Sequence, residues 1–272
     1  MSTTAQQEVT TPVTLKTGDF VWHELRTTDA KAATDFYTHV VGWKPIDSGD
    51  PGGVPYTLLS VDGLNTAGLM QLTPEMETGG MRPAWVGFIG VDDVEAYAKR
   101  VEEAGGKLHC APMDIPGIGR FASAEDPQGA TFLLFKGGLD YAPPRPAAGS
   151  PGTVGWNELS ANDGEAAWPF YSRLFGWHEE STMDMGPMGI YRIFDNGGPR
   201  LGGMMTRDPK GGPIPFWLFY FSVGDIDAAV TRVQDKKGQI CMGPHEVPGG
   251  QWIVVGSDPQ GAMFALVGSK KK

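Results

Sequence analysis

The stretch FVWHELRT at residues 20–27 returns as VGWNELSA at residues 154–161, and the two share the pattern W-x-E-L. Behind each lies a second pattern, F-Y-(x)4-G-W, at residues 36–43 in one copy and 170–177 in the other. Both patterns recur at the same offset of 134 residues. Self-similarity at a fixed offset indicates that the chain consists of two structurally related halves.

Each half also contains a second strand–helix unit. The segments PAWVGFIGVDDVEAYAKRVEEAGG and PFWLFYFSVGDIDAAVTRVQDKKG correspond at an offset of 132 residues, and each leads to short strands joined by a D-P-Q-G-A turn. Strand-like and helix-like apolar spacing alternate, which predicts four units of the form βαβββ, beginning near Phe20, Ala84, Val154 and Phe216. The predicted fold class is α+β, with antiparallel-rich sheets and helices on one side.

The boundary between the halves is predicted from composition. The stretch GGLDYAPPRPAAGSPG is rich in Pro, Gly and Ala and has no apolar period, which is typical of a linker. We therefore divide the chain into a polar tail at 1–17, a first domain at 18–137, a linker at 138–151 and a second domain at 152–268.

The helix that carries F-Y-(x)4-G-W has a clear start and stop in the first half. Thr28 or Asp29 is the predicted N-cap, and Gly42 is the predicted stop. In the second half, Pro169 lies where the interior of the same helix is expected. Because proline lacks an N–H and clashes with the preceding turn, that helix either starts late or is kinked.

Charge and hydropathy exclude some classes of partner. The chain has 22 Lys plus Arg against 32 Asp plus Glu, a net charge of −10, which argues against binding to nucleic acid or to anionic membranes. No apolar run reaches membrane length, and the first 17 residues have neither a basic start nor an apolar stretch. We therefore expect a cytoplasmic protein without a transmembrane helix or a secretory signal.

The two cysteines, Cys110 and Cys241, show no C-x-x-C or zinc-type spacing. A disulfide framework or a structural metal site is therefore not expected. Since free cysteine is among the most buried residue types, we expect both thiols to be buried.

The paired βαβββ units, the A-x-x-F-Y-(x)4-G-W helix end and the D-P-x-G turn before the last strand resemble the vicinal-oxygen-chelate superfamily. This superfamily includes glyoxalase I, bleomycin resistance proteins and extradiol dioxygenases, and the chain is similar to its bacterial subgroup with two fused domains. The resemblance extends from about residue 18 to residue 268. It implies tandem glyoxalase-like domains whose curved sheets each present a concave face, the cup, to a small ligand.

The resemblance also implies where a metal would bind, because metal-using members take His, Glu or Gln from set strand positions. In this chain three of those positions hold side chains without a lone pair for a cation, in both halves: Trp22 and Trp156, Val86 and Leu218, Leu133 and Ala265. The remaining position falls on Met70 or Gln71, and on Met205 or Thr206. The resemblance therefore predicts that the family metal site has been lost, and no cofactor is expected.

Strand alternation places Phe20, Trp22, Glu24 and Arg26 on one face of the first strand, with Val21, His23 and Leu25 on the other. The resemblance implies that the Trp22/Glu24 face lines the cup. Desolvation there would raise the pKa of Glu24, and of its counterpart Glu158, toward that of a useful catalytic base. The alternative is that each glutamate is paired with Arg26 or with a backbone amide. His23, replaced by Asn157 in the second half, is expected to have a structural role.

The remaining cup lining is predicted to be apolar or aromatic. Tyr56 and Tyr191 recur at equivalent places and are either packing residues or hydroxyl donors that orient a ligand. The other predicted lining residues are Val86, Phe88, Leu133 and Phe135 in the first half, and Leu218, Tyr220, Met263 and Ala265 in the second. Such walls suit apolar or flat aromatic ligands, unless the side chains themselves fill the cup.

The leading functional hypothesis is a small-molecule-binding protein without a family-type metal, which sequesters an apolar or aromatic ligand or processes it by acid/base chemistry through Glu24 or Glu158. One alternative is a metal-dependent lyase or dioxygenase with relocated ligands such as Glu24, Gln71 and His109. Another is a non-catalytic scaffold with filled cups. Oligomeric state stays open, as does whether each cup forms within one half or by exchange of units between halves.

Overall fold

The computed structural model describes residues 16–49, 53–137, 145–208 and 214–271. The first half contains β1 (Phe20–Thr27), α1 (Ala30–Val41), β2 (Lys44–Asp47), β3 (Tyr56–Val61), β4 (Leu64–Gln71), α2 (Pro74–Thr78), β5 (Ala84–Gly90), α3 (Val94–Glu103), β6 (Lys107–Ile115), β7 (Gly119–Glu125) and β8 (Thr131–Gly137). The second half contains β9 (Val154–Ala161), α4 (Gly164–Phe175), β10 (His178–Asp184), a 3-10 turn (Gly186–Met188), β11 (Ile190–Asp195), β12 (Arg200–Thr206), β13 (Phe216–Val223), α5 (Ile226–Asp235), β14 (Gln239–Val247), β15 (Gln251–Ser257) and β16 (Met263–Gly268).

Each half builds one eight-stranded mixed sheet from its own strands. The orders are β2-β3-β4-β1-β5-β8-β7-β6 and β10-β11-β12-β9-β13-β16-β15-β14. The central strand β1 runs parallel to β4 and antiparallel to β5, and β9 repeats this arrangement with β12 and β13. The predicted α+β fold of four βαβββ units is confirmed, and each cup forms within one half.

The first helix begins and ends where the sequence predicts. The Asp29 carboxylate accepts from the Ala32 amide, and Gly42 closes α1 in the left-handed conformation. The helix α4 begins at Gly164 and runs through Pro169 to Phe175, so a late start is wrong. Proline removes one backbone bond there, but the buried residues on both sides of it hold the helix against the sheet.

The F-Y-(x)4-G-W pattern recurs because it joins the two halves. The Tyr37 hydroxyl donates to Asp258 (3.1 Å) in the D-P-Q-G-A turn of the other half, and Tyr171 donates to Asp126 (3.0 Å). The tryptophans that end the pattern also cross: Trp43 Nε1 donates to the Gly152 carbonyl, and Trp177 Nε1 to that of Gly18. With α1 packed on α5 and α3 on α4, one continuous apolar core contains residues of both halves.

The pair His23 and Asn157, equivalent in the two repeats, meets in this shared core. The His23 Nε2 atom lies 2.8 Å from Asn157 Oδ1, and Asn157 Nδ2 donates to the Leu201 carbonyl. Burial lowers the pKa of His23 to about 4, opposed by the Asn157 hydrogen bond and assisted by the charge of Arg145. A structural role for His23 therefore has a physical basis, which is the docking of one half on the other.

Two packing predictions are wrong. A β-bulge between Phe20 and Trp22 reverses the alternation, so Phe20 packs into the shared core while Val21 joins the cup. Cys110 is only part-buried and Cys241 is exposed, because each lies on the outermost strand of its sheet.

Some boundary predictions fall outside the described residues. This applies to 1–15 of the predicted tail and to 138–144 of the predicted linker. Among the described helices, none combines the length and the apolar character that a membrane crossing requires.

Candidate functional site

The strands β1 and β9 each present three side chains to their cup, and two of the three are identical in the two halves. Trp22 and Glu24 face the first cup, and Trp156 and Glu158 face the second, opposite the core-facing residues Leu25 and Leu159. At the third position Arg26 in the first half corresponds to Ser160 in the second. On these two strands, this is the change that gives the two cups different charges.

In the second half, four polar side chains form one connected network. Trp156 Nε1 donates to the Tyr191 hydroxyl (2.7 Å), and Tyr191 donates to Glu158 Oε2 (2.8 Å). The Tyr220 hydroxyl donates to the other carboxylate oxygen, Oε1 (3.1 Å). Both oxygens of Glu158 are therefore held by phenol groups, with no cation in contact among the described residues.

Burial sets the proton affinity of this network. Desolvation raises the pKa of Glu158, although the hydrogen bonds from Tyr191 and Tyr220 oppose the rise. The residue keeps some accessible surface, but its carboxylate lies between the two rings, where water stabilises it poorly. Desolvation and the nearby Glu158 charge raise the pKa of Tyr191 and of Tyr220, so both phenols remain donors at neutral pH. A carboxylate with raised pKa and two fixed donors can accept and return a proton.

The first half keeps only part of this network. Trp22 Nε1 donates to the Tyr56 hydroxyl (2.9 Å), as in the other cup. Glu24, however, forms an ion pair with Arg26, with Nε 3.2 Å from Oε1. The place of Tyr220 is taken by Phe88, which has no hydroxyl. The alternative that the glutamate pairs with Arg26 therefore describes Glu24, whereas Glu158 has the environment of a candidate base.

The predicted lining residues lie together around these groups. Around the first cup the apolar cluster comprises Val21, Trp22, Val86, Phe88, Ile115, Ile118, Phe121, Leu133 and Phe135. Around the second it comprises Trp156, Phe216, Leu218, Tyr220, Ile253, Val255, Met263, Ala265 and Val267. Sequence reasoning missed Phe216 and Val267, which lie on strands it had otherwise assigned to the cup. It also missed the β6–β7 and β15 contributors, because the cup-facing register of those strands follows from sheet pairing.

The two cups differ in which strand carries the larger side chain at one equivalent pair of positions. Leu133 pairs with Ser123 in the first half, whereas Ala265 pairs with Val255 at the equivalent place in the second. The larger side chain of the pair is therefore on β8 in the first cup (Leu133) and on β15 in the second (Val255). The two cups are expected to prefer ligands of different outline.

The metal that the resemblance implies does not fit these residues. Trp22, Val86 and Leu133 offer no lone pair, and the Trp22 ring nitrogen is a donor already bound to Tyr56. At the remaining position Gln71 is already engaged, because its side-chain amide bonds the backbone of Thr28 and Ala30 at the start of α1. The Thr206 hydroxyl serves α4 in the same way, through the Gly164 amide.

The relocated ligand set is not brought together either. Glu24 pairs with Arg26, Gln71 binds the backbone at α1, and His109 Nε2 lies 2.8 Å from Glu125 on the neighbouring strand. Over the described parts of the chain, no cluster of three or more His, Cys, Asp or Glu side chains could hold a metal ion.

Gly203 is needed for the second network, since a Cβ there would lie 2.1 Å from the Tyr191 hydroxyl. We expect Gly203→Ala to displace Tyr191, break its bonds to Trp156 and Glu158, and lower the free energy of unfolding by about 1–3 kcal/mol. Urea denaturation measures this, with Gly198→Ala as control because no atom lies within 4 Å of its Cβ position. Equal stability of the two variants would contradict the packing of Tyr191.

The family assignment follows from comparison with known proteins. The family model of the Glyoxalase/Bleomycin resistance protein/Dioxygenase superfamily matches residues 19–134 and 153–266. The chain belongs to this superfamily and contains two tandem domains of it.

Two relatives are similar over nearly their whole length. The chain is 33% identical over 247 residues to a Mycobacterium tuberculosis protein named glyoxylase CFP32, covering 90% of this chain and 93% of that protein. It is also 33% identical over 257 residues to the anthracycline biosynthesis protein DnrV of Streptomyces peucetius, covering 90% of this chain and 91% of that protein.

Solved structures show the same fold at lower identity. The Mn(II)-bound glyoxalase from Novosphingobium aromaticivorans has a TM-score of 0.65 at 18% identity, covering 94% of this chain and 83% of that one. The 2,2',3-trihydroxybiphenyl 1,2-dioxygenase from Sphingomonas wittichii has a TM-score of 0.66 at 12% identity, covering 93% and 91%. At these identities the likeness concerns the fold alone.

Proposed function

We propose that the second cup binds a flat apolar or aromatic small molecule that carries an ionisable hydroxyl, and that Glu158 exchanges a proton with it. The observation that carries this proposal is the network of Trp156, Tyr191, Tyr220 and Glu158 inside an apolar wall. The wall supplies affinity through the apolar area removed from water, and the few polar groups orient the ligand.

The chemistry follows from the protonation states. As a carboxylate, Glu158 would accept the proton of the ligand hydroxyl and become the neutral acid that burial favours. The Tyr191 and Tyr220 hydroxyls, which then lose part of their attraction to the neutral acid, would be free to donate to the ligand oxyanion. The proton returns by the reverse path when the ligand leaves or is converted.

The relatives support an aromatic ligand without naming it for this chain. The relative named for anthracycline biosynthesis is 33% identical, and anthracyclines contain fused, hydroxylated aromatic rings. No step is assigned to a metal, since the positions that the resemblance implies do not provide a donor set.

A cytoplasmic location belongs to the proposal as well. The net charge of −10 and the two free cysteines suit a reducing compartment and a partner that is neither nucleic acid nor an anionic membrane.

The test uses alizarin, a planar dihydroxyanthraquinone whose absorption shifts when a hydroxyl ionises. We expect the wild-type protein to bind alizarin and to shift its spectrum toward the ionised form at a pH where the free dye is neutral. In Glu158→Gln the ionised fraction should fall and the affinity should drop about tenfold, because a charged hydrogen-bond partner is lost. Absorbance titration measures both quantities.

The matched control is Glu24→Gln, which changes the equivalent residue of the first cup. It should leave the spectral shift in place. Failure of the wild-type protein to bind alizarin would contradict the proposal and favour a non-catalytic scaffold. An unchanged shift in Glu158→Gln would remove Glu158 from the chemistry.

A further inference from the structure

The first cup contains a charged donor for which the second has no equivalent. Arg26 and Glu24 are 9% and 6% exposed, and they share the cup face of β1. Ser160 replaces the arginine in the second half, and Phe216 there replaces Ala84, the strand partner of Arg26. At this pair of positions the first cup therefore has a charged side chain, and the second has a large aromatic one.

The ion pair leaves most of the guanidinium unused. Its one hydrogen bond within the described residues runs from Nε to Glu24 Oε1, at 3.2 Å. The two terminal nitrogens of Arg26 have no partner in that part of the chain, and neither does Glu24 Oε2. The side chains of Arg26 and Glu24 are 11% and 8% exposed, so part of this pair can be reached by a small molecule. Arginine usually binds a carboxylate through two parallel N–H groups. The N–H groups on the two terminal nitrogens of Arg26, which we call the fork, have no partner among the described residues.

The surroundings of the fork suit an aromatic ring. Arg26 lies between Met70 on β4 and Ala84 on β5, both on the cup face. Trp22, which is bonded to Tyr56, lies on the same face of β1 as Arg26, and Phe88 belongs to the apolar cluster of the same cup. Ala84, which has a small side chain, is the strand partner of Arg26, at the place where the second cup has the larger Phe216. A planar ligand could therefore rest on apolar surface with an anionic oxygen on the fork.

We propose that the first cup is a separate binding site for a small aromatic carboxylate, whose carboxylate binds the terminal nitrogens of Arg26. The two cups then differ in charge preference, because the first binds an anion and the second binds a hydroxyl compound that gives its proton to Glu158. This site does not depend on the role of Glu158, so either proposal can fail alone.

The experiment is calorimetric titration of the full chain with salicylate and with its neutral analogue, salicylamide. We expect salicylate to bind more tightly than salicylamide. In Arg26→Gln the salicylate affinity should fall about tenfold or more, with that of salicylamide nearly unchanged. Arg26→Lys should recover only part of the loss, because an ammonium lacks the two parallel donors.

Two further variants keep the result interpretable. Arg120→Gln removes the same charge from the same half but leaves the cup intact, since Arg120 is paired with Glu95 and Asp114, and salicylate affinity should be retained. If Arg26→Gln unfolds because Glu24 is left unpaired, the double variant Arg26→Gln/Glu24→Gln removes that charge and must still bind salicylate weakly. Equal affinity for the two probes, unchanged binding in Arg26→Gln, or no salicylate binding by the wild type would overturn the proposal.

Discussion

Replacing Asp126 with alanine is expected to lower the free energy of unfolding by about 3–5 kcal/mol and to destabilise both halves together. Asp126 is 2% exposed, and its carboxylate accepts from the amides of Gln128 (2.8 Å) and Ala130 (2.9 Å) and from the Tyr171 hydroxyl (3.0 Å) of the other half. Bonds to a charged acceptor contribute about 1.5–3 kcal/mol each, and three on one group do not add fully. Alanine leaves the two amides without an acceptor and the buried Tyr171 hydroxyl without an acceptor for its proton, although that hydroxyl still accepts from Trp217 Nε1 (3.2 Å).

The measurement is urea unfolding followed by circular dichroism and by tryptophan fluorescence. Tyr171→Phe is the control, because it removes the cross-half bond and the bond from Trp217 Nε1 but keeps the turn, and should cost about 2 kcal/mol. The two probes should report one coincident transition, since the core is shared. Asp258→Ala should behave like Asp126→Ala, because Asp258 accepts the corresponding bonds from Gln260, Ala262 and Tyr37. Two separate transitions, or a loss no larger than in Tyr171→Phe, would contradict the shared core.

Acid should destabilise the protein through His23. The folded-state pKa of about 4 lies below the ordinary value of 6.5, so between these values the unfolded chain binds a proton that the native state does not. This contribution to the free energy of unfolding is present in full above pH 6.5, and about 3 kcal/mol of it is lost by the time the pH has fallen to 4. Protonation would place a cation inside the shared core, beside Phe20 and Phe219.

Other groups also change the stability with pH, so the effect of His23 is measured as the difference between the wild type and His23→Asn. The pKa of Glu158, of Asp126 and of Asp258 is raised by desolvation, so these groups favour the native state at lower pH and oppose the effect of His23. His23→Asn keeps a polar partner for Asn157 but does not titrate, so its pH-independent packing cost cancels when each protein is compared with itself. Urea midpoints at pH 7.5 and 4.5 should fall more steeply for the wild type than for His23→Asn. Parallel pH profiles would exclude His23 as the titrating group.

Local sequence signals were sufficient for the architecture. The four units begin at Phe20, Ala84, Val154 and Phe216, as the strand-like apolar spacing and the repeat predict. Asp29 and Gly42 bound the first helix because capping depends on residues adjacent in the chain. The repeat itself places the glutamates and tyrosines of the two cups at equivalent positions.

Contacts between distant segments could not be predicted in the same way. The bonds from Tyr37 to Asp258 and from Tyr171 to Asp126 require knowing which helix of one half meets which turn of the other. The bulge that turns Phe20 into the core has no local signal in FVWHELRT. The different roles of Glu24 and Glu158 do have one, since comparing the copies position by position shows Arg26 against Ser160 and Phe88 against Tyr220.

The reciprocal contacts between halves limit how the protein can be recombined. If one half were joined at the linker to a half that lacks the matching contacts, Tyr37 or Tyr171 would lose the aspartate it binds, and His23 would lose Asn157. The part that can be exchanged is therefore the set of cup-facing side chains of a sheet. The side chains on the other face of the same strands must keep their contacts with the other half. Ligand preference could be transplanted by replacing only alternate residues along β1 or β9, with the interface left untouched.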